Sequence, residues 1–521
     1  MKAPNRTQVI DHGLATGFAL LGIMVIFIAS GWLGIDFGLH WDEHWMVEAW
    51  VETVETARYR SPRPYPGLYY DLSLPALGWV ALSSADSAEL KARVASEDFL
   101  IGMRMQFVLL AACAIWVTFL GLRRWRWSRG EALLAAAVVG FSWQFSYHSR
   151  WVASDALLAL LVPAATFVAL TGLRSEHAAR AWKIGAVLAG SATAAKYPGG
   201  LALLPVLWMA ARAPSLPTGW QPRAGRMLAA ILLFSITFLV LSPHVWLDAQ
   251  QAMADLKGMM DQYATGHLGH TIEPGLPHLS AMTVYMASAL SPNPWLGWLL
   301  AALAGLGLVT LVVEREEESW IFLIVPILYM GYFATQRVML VRNLLVLIPF
   351  AAALVAIGAG FLGRAIPNRS IRVAYAGALV VICGFNAVWM TRSALTISDY
   401  SLRKSLVRLA EVIEQEPHRE FVVSRQIYTR FQMSGFPRTT NWQVAAPDGS
   451  IKPGSRVAVL AYQYPVILFP WPANVRGRYQ DLGPREVDWD YYPGWMAQDR
   501  AIVMSSSVWN EVRKPLIPEA G

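Results

Sequence analysis

Charge is what this chain has least of. Only 15% of its 521 residues are Asp, Glu, Lys or Arg, where a soluble domain carries about 25%. Cysteine is scarcer: Cys113 and Cys383 are the only two, and both fall inside apolar runs. They read as packing residues, which excludes a disulfide framework. No internal repeat and no low-complexity tract is visible, and inverted repeats would be the mark of many transporters. The histidines at 244, 267, 270 and 278 lack the i, i+4 pairing of a helical zinc site. Zinc needs three or four converging ligands, so no metal and no other cofactor is expected.

What the chain has instead is apolar length. Hydrophobic residues make up 55% of it, gathered in long runs separated by short basic loops. A membrane β-barrel would show alternating strands of about 10 residues. The pattern here is that of an all-α polytopic membrane protein. Eleven spans are expected, at 14–35, 99–122, 131–147, 152–173, 182–195, 198–213, 227–243, 294–313, 319–336, 343–363 and 373–391. The first run is too long for a signal peptide and lacks a small-residue cleavage site. Lys2 and Arg6 precede it and place the N-terminus in the cytoplasm. The cytoplasmic loops then hold the arginine clusters at 123–129, 174–180, 212–226 and 364–372, whereas the opposite side holds isolated cations: Arg150, Lys196, Lys257, Arg337 and Arg342. The net charge of +7 is thus sorted by membrane side, and no nucleic-acid partner is needed to explain it.

Two outer loops are long, 36–98 and 244–293, and long ordered loops on a scaffold concentrate function. Past residue 400 the pattern changes. Leu402, Leu406, Leu409 and Ile413 recur at helical spacing, and short β-type runs follow at 420–423, 457–461, 466–469 and 501–504. The expected organisation is a membrane domain over 1–399 and a small extracytoplasmic α/β domain over 400–521. The aromatics of that domain, Trp442, Tyr462, Tyr464, Trp471, Trp489, Tyr491, Tyr492 and Trp495, either stack on sugars or build its core.

The candidate chemistry begins at Asp42 and Glu43, directly after the first span. Adjacent carboxylates at a membrane boundary serve either as a general base that deprotonates an acceptor, or as a solvated loop with Asp42 capping a helix over 44–56. Asp155 lies about one turn inside the fourth span, with Arg150 just before it. It either pairs structurally with Arg150 or faces the cavity of Asp42. Lys196 interrupts an apolar hairpin in Ala195-Lys-Tyr-Pro198, as a snorkelling lysine or as a phosphate ligand. Arg337 and Arg342 pose the same choice at the next outer turn; several separated cations returning to one face suit an anionic lipid headgroup. His244 is a cavity-lining or structural group.

The order of these pieces resembles the GT-C glycosyltransferases, in the branch of protein mannosyltransferases and lipid A aminoarabinose transferases. The resemblance rests on Trp41-Asp42-Glu43, on Tyr65-Pro-Gly-Leu-Tyr-Tyr70, on Ser149-Arg150 with Asp155-Ala-Leu157, on Lys196-Tyr197-Pro198, and on Gln336-Arg337 with Ile348-Pro349. It covers roughly residues 10–360. The chain departs from the family where His-Pro-Pro has become Tyr65-Pro-Gly67.

The resemblance implies a polyprenyl-phosphate-linked sugar donor and a glycan, lipid or protein acceptor, with transfer on the outer face of the cytoplasmic membrane. The residue types suit that chemistry. A lipid phosphate leaves as a stable anion, so one base suffices for inversion, unlike the two carboxylates of glycoside hydrolysis; cations stabilise the charge on the departing phosphate. Asp42 is then the base with Glu43 as partner or substitute. Asp155, Tyr69, Tyr197 and His244 line the substrate pocket, and Lys196, Arg150, Arg337 and Arg342 are the phosphate candidates. Three rivals remain: a transporter or flippase of lipid-linked glycans, a metal-dependent en bloc oligosaccharide transferase, and a membrane assembly protein with merely solvated acids.

Overall fold

The computed structural model describes residues 6–36, 40, 43–59, 65–267, 270–314, 316–399, 402–424, 427–428, 430–431, 439–444, 451–460, 478–482 and 501–513. The chain divides into two compact units: residues 1–32, 59–76 and 103–391 form one, and residues 33–58, 77–102 and 392–521 the other.

Each of the eleven apolar runs expected to span is helical, and among the described residues seven segments are long and apolar enough to cross a bilayer: Gly13–Trp32, Glu97–Arg124, Ser154–Gly172, Trp220–Val240, Pro294–Glu314, Val341–Ala365 and Arg369–Ser398. The other four runs fold as helices that are short, broken or charged at one end: Arg129–Gly140 with Trp143–His148, Ala178–Ala195, Tyr197–Ala202 with Leu203–Arg212, and Glu317–Ala334. This is a multi-pass membrane protein. Its outermost helices leave large apolar side chains uncovered, such as Ile236 and Val240 on one and Val380 and Val381 on another, a surface suited to hydrocarbon rather than water.

In the first unit, small residues set the packing. Helices Pro294–Glu314 and Ile348–Ala365 cross with almost no gap: a Cβ on Gly307 would lie 2.1 Å from the Leu354 carbonyl oxygen, and one on Gly358 would lie 2.0 Å from that of Leu303. Without a hydrophobic drive between helices in lipid, such close approach is what supplies packing energy. Helix Ala178–Ala195 packs on Ser154–Gly172 and on Trp220–Val240. Helix Arg129–Gly140 opens with a full capping box, Ser128 and Glu131 each satisfying the other's backbone N–H.

The second unit contains helix Glu43–Thr56 packed on helix Ser87–Val94, with Trp50 edge-on to Phe99 at 5.0 Å and Lys91 paired with Glu55. Its largest part is a five-stranded sheet of β1 (Phe421–Val423), β2 (Trp442–Val444), β3 (Arg456–Leu460), β4 (Tyr479–Asp481) and β5 (Ala501–Ser505), in the order β2-β1-β3-β5-β4. β1 is parallel to β2 and β3, while β5 is antiparallel to β3 and β4. The amphipathic helix Leu402–Gln415 lays Leu406, Leu409 and Ile413 on Phe421, Val423, Ala458 and Val503 to close the core. Trp442 packs partly buried against that core, and the other seven aromatics expected to matter lie outside the described residues. So does the expected strand at 466–469.

Candidate functional site

The structure brings together Asp155, Lys196 and Arg342, from parts of the sequence far apart. Lys196 sits at a break between helices. Helix Ala178–Ala195 stops there because Lys196 turns extended, at φ −160° and ψ 135°, and Pro198 lies within the first turn of the 3-10 helix Tyr197–Ala202. The turn demands glycine two residues on: a Cβ on Gly199 would stand 2.3 Å from the Ala192 carbonyl oxygen. Asp155 lies in the first turn of helix Ser154–Gly172, where the helix dipole favours a carboxylate. Arg342 and Asn343 belong to the 3-10 helix Val341–Leu347, which leads into Ile348–Ala365 with Pro349 in its first turn.

The Lys196 ammonium donates to Asp155 Oδ1 at 2.7 Å and to Asn343 Oδ1 at 2.7 Å. Arg342 Nε stands 3.9 Å from Asp155 Oδ2. The Asn343 amide donates in turn to Tyr263 Oη at 2.8 Å, and Tyr329 donates to the Asn343 carbonyl at 2.7 Å. The Tyr65 ring centre is 5.8 Å from Lys196 Nζ, within cation–π range. Asp155, Lys196, Arg342 and Asn343 are all buried. Burial by itself would lower the Lys196 pKa; the Asp155 carboxylate, helped by the phenols of Tyr263 and Tyr65, outweighs burial and the opposing Arg342, so the ammonium is held above the ordinary lysine value. His148 is also buried nearby. Burial lowers its pKa to about 3 against the pull of Asp155, with Arg342 adding to the drop, so its imidazole is neutral at physiological pH.

Lys196 opens onto a cavity of about 410 Å³ lined by Tyr65, Tyr197, Pro198, Gly200, Leu201, Leu256, Met259, Met260, Tyr263, Tyr332 and Phe333. Apart from the ammonium and the phenols the wall is aliphatic or aromatic. An ammonium has three donors; two of those on Lys196 go to Asp155 and Asn343, and the third has no hydrogen-bond acceptor among the described residues. The arrangement is a greasy cavity ending on one buried ammonium donor.

The other sequence candidates have contacts of their own. Asp42 falls outside the described residues. Glu43 opens helix Glu43–Thr56, is fully buried, and accepts the His40 N–H at 2.9 Å. Arg150 is 2% exposed and donates to the Ser30 carbonyl at 2.7 Å, tying down the end of the first span, with burial pulling its pKa to about 10. Arg337 is half-exposed, 3.8 Å from Glu273, and its backbone N–H donates to the Tyr263 carbonyl at 2.8 Å. Tyr197 lines the cavity; Tyr69 is buried with its ring edge-on to Tyr65 at 6.3 Å. His244 opens the short helix His244–Leu247 after Pro243. Among the loop histidines, His278 is spent on the Gln336 carbonyl at 2.8 Å, and His267 and His270 lie with ring centres 5.5 Å apart.

Asn343, Tyr263, Tyr329 and His148 were not singled out by sequence. Asn343 did carry a signal, as a polar residue beside Arg342 inside an apolar run; Tyr263 carries none, since one tyrosine on an amphipathic loop helix looks like any interfacial anchor.

No family model matches the chain, and no curated protein matches it by sequence. Among solved structures it is similar to ArnT from Cupriavidus metallidurans in the apo state, at 14% identity over 95% of this chain and 99% of that one, with a TM-score of 0.55. The same protein bound to undecaprenyl phosphate matches at 15% identity over 94% and 98% of the two chains, with a TM-score of 0.50. A helical membrane domain followed by a small sheet, matched from end to end, gives this chain the GT-C-type fold of ArnT.

Proposed function

We propose that the chain is an inverting glycosyltransferase that moves a sugar from a polyprenyl-phosphate donor to an acceptor hydroxyl on the outer face of the cytoplasmic membrane. One observation carries this reading: the apolar cavity ends on the Lys196 ammonium, whose third donor has no acceptor among the described residues. A prenyl phosphate has the matching form, an apolar chain with an anionic head. The fold neighbour that holds undecaprenyl phosphate adds support.

In this reading Lys196 binds a phosphate oxygen of the donor, and Arg342 adds positive charge behind it. Asp155 is the positioning residue that aims Lys196 and keeps it protonated. Asp42 takes the proton of the acceptor hydroxyl. The acceptor oxygen bonds to the anomeric carbon from the face opposite the phosphate, and the bond from that carbon to the phosphate oxygen breaks. The electron pair leaves with the polyprenyl phosphate, whose added charge Lys196 and Arg342 stabilise. No general acid is required. Leaving-group stabilisation belongs to the two side chains and not to a metal, and unchanged turnover in a chelator checks that assignment.

Membranes carrying Lys196→Met or Asp42→Asn, given a radiolabelled polyprenyl-phosphate sugar, test the assignment. Loss of a positioned base costs about 10²–10⁴-fold. Transfer at the wild-type rate in either variant overturns the role of that residue. Transfer by purified protein in detergent, where no compartments exist, separates the enzyme from a flippase.

A further inference from the structure

The second unit contains a larger and quite different cavity, of about 650 Å³, within the roughly 300–1,000 Å³ of small-molecule sites. It opens at one end of the sheet, where β1 and β3 begin and β5 ends. Register puts its donors side by side: Arg456 pairs across the ladder with Ser505, and Gln480 with Val503. Arg419 precedes β1, and Arg478 precedes β4; both line the opening. None of its described lining residues is acidic.

Glu416 stands behind the wall and holds two of its guanidiniums. Arg456 is held by Glu416 and donates to Gln480 Oε1 at 3.2 Å. Arg419 shares Glu416, at 3.5 Å, and is 61% exposed; such an exposed pair is worth little, so its guanidinium can turn to a ligand at small cost. The rest of the wall offers hydroxyls and amides. Ser505 and Ser507 face each other at 2.8 Å. Gln480 Nε2 has no acceptor, and the buried Oδ1 of Asn510 no donor, among the described residues. A buried acceptor left unmet is costly, and a ligand hydroxyl would meet it.

Cations on one side with hydroxyls and amides on the other match one class of ligand. We infer that this cavity binds a sugar bearing an anionic group, with the phosphate or carboxylate on Arg419 and Arg478 and the ring hydroxyls against Ser507, Gln480 and Asn510. That this sugar belongs to the acceptor rests on the transferase reading; the binding itself does not.

The test uses the full-length protein in nanodiscs without donor, so a failed transferase reading leaves the result intact. Saturation-transfer NMR compares glucose 6-phosphate, glucuronate, glucose and inorganic phosphate. The expected result is saturable binding of at least one anionic sugar, with glucose and inorganic phosphate each at least tenfold weaker. Arg419→Gln and Ser507→Ala, both on exposed side chains, should each weaken it at least threefold while the protein elutes as wild type. Arg478→Gln is the second cation variant should Arg419→Gln not elute so. Equal binding of glucose removes the anion site, equal binding of inorganic phosphate removes the sugar site, and unchanged binding in the variants places the ligand elsewhere; any of these overturns the inference.

Discussion

Replacing Asp155 by Asn keeps the shape of the side chain and removes its charge. Lys196 Nζ then loses a carboxylate at 2.7 Å, and Arg342 Nε loses one at 3.9 Å. At an effective dielectric of about 20 these attractions are about 6 and about 4 kcal/mol. Desolvation of the carboxylate offsets several kcal/mol of that, leaving a net cost of about 3–5 kcal/mol for breaking the buried pair. Lys196→Met should cost less, because Asp155 and Arg342 remain as one anion with one cation, whereas Asp155→Asn strands two cations together. The double variant should recover about 1–3 kcal/mol relative to the sum of the singles, as contacting residues do. Unfolding followed by tryptophan fluorescence in detergent gives the stability order. Activity should run the other way. Lys196→Met abolishes transfer, while Asp155→Asn retains some, with the alkaline limb of its pH profile moved to lower pH, because burial now acts on the ammonium without its counter-charge. If Lys196→Met proves at least as destabilising as Asp155→Asn, or if the pH profile does not move, the charge argument fails.

Three further outcomes follow from the geometry. Burial raises Asp71 from 3.8 to about 6, against the hydrogen bond donated by Tyr59. The folded chain keeps that proton where the unfolded chain has lost it, so the contribution of Asp71 to stability is full below pH 3.8 and declines until about pH 6; Asp71→Asn should flatten this slope and raise the melting temperature at neutral pH. Gly358→Leu places carbon against the Leu303 carbonyl and should destabilise by at least about 1–3 kcal/mol, seen as a lower melting temperature with a broadened elution profile. Tyr263→Phe leaves the Asn343 N–H without its 2.8 Å acceptor, costs about 1–3 kcal/mol, and should raise the donor KM more than it lowers kcat.

The membrane helices were legible because length and apolarity suffice to mark them; only their unequal lengths were not. The first turn over Asp155, the break at Lys196 and the amphipathic helix past residue 400 were visible too, since each is a local pattern. Which cations converge was not. Arg337 and Arg342 are five residues apart in similar surroundings, and only the fold sends one to Asp155 and the other to Glu273. The partners of Lys196 are separated from it by 41 and 147 residues, and no short-range rule reaches that far. The sequence offers Glu43 beside Asp42 as chemistry, and the fold sets its carboxylate on the His40 backbone N–H, a contact that adjacency in sequence does not forecast.

The Asn343 amide is locked in one orientation. Its oxygen accepts from the Lys196 ammonium and its nitrogen donates to Tyr263. Flipping it would set donor against donor at the lysine, because an ammonium has no lone pair to offer. A neutral lysine would lift that prohibition, since its nitrogen could then accept. The proton on Lys196 therefore acts as a latch pin: while it stays, the amide can only face helix Ala249–Thr265 with its donor end, and the wall carrying Tyr263 is fastened to the charge at the head of the cavity.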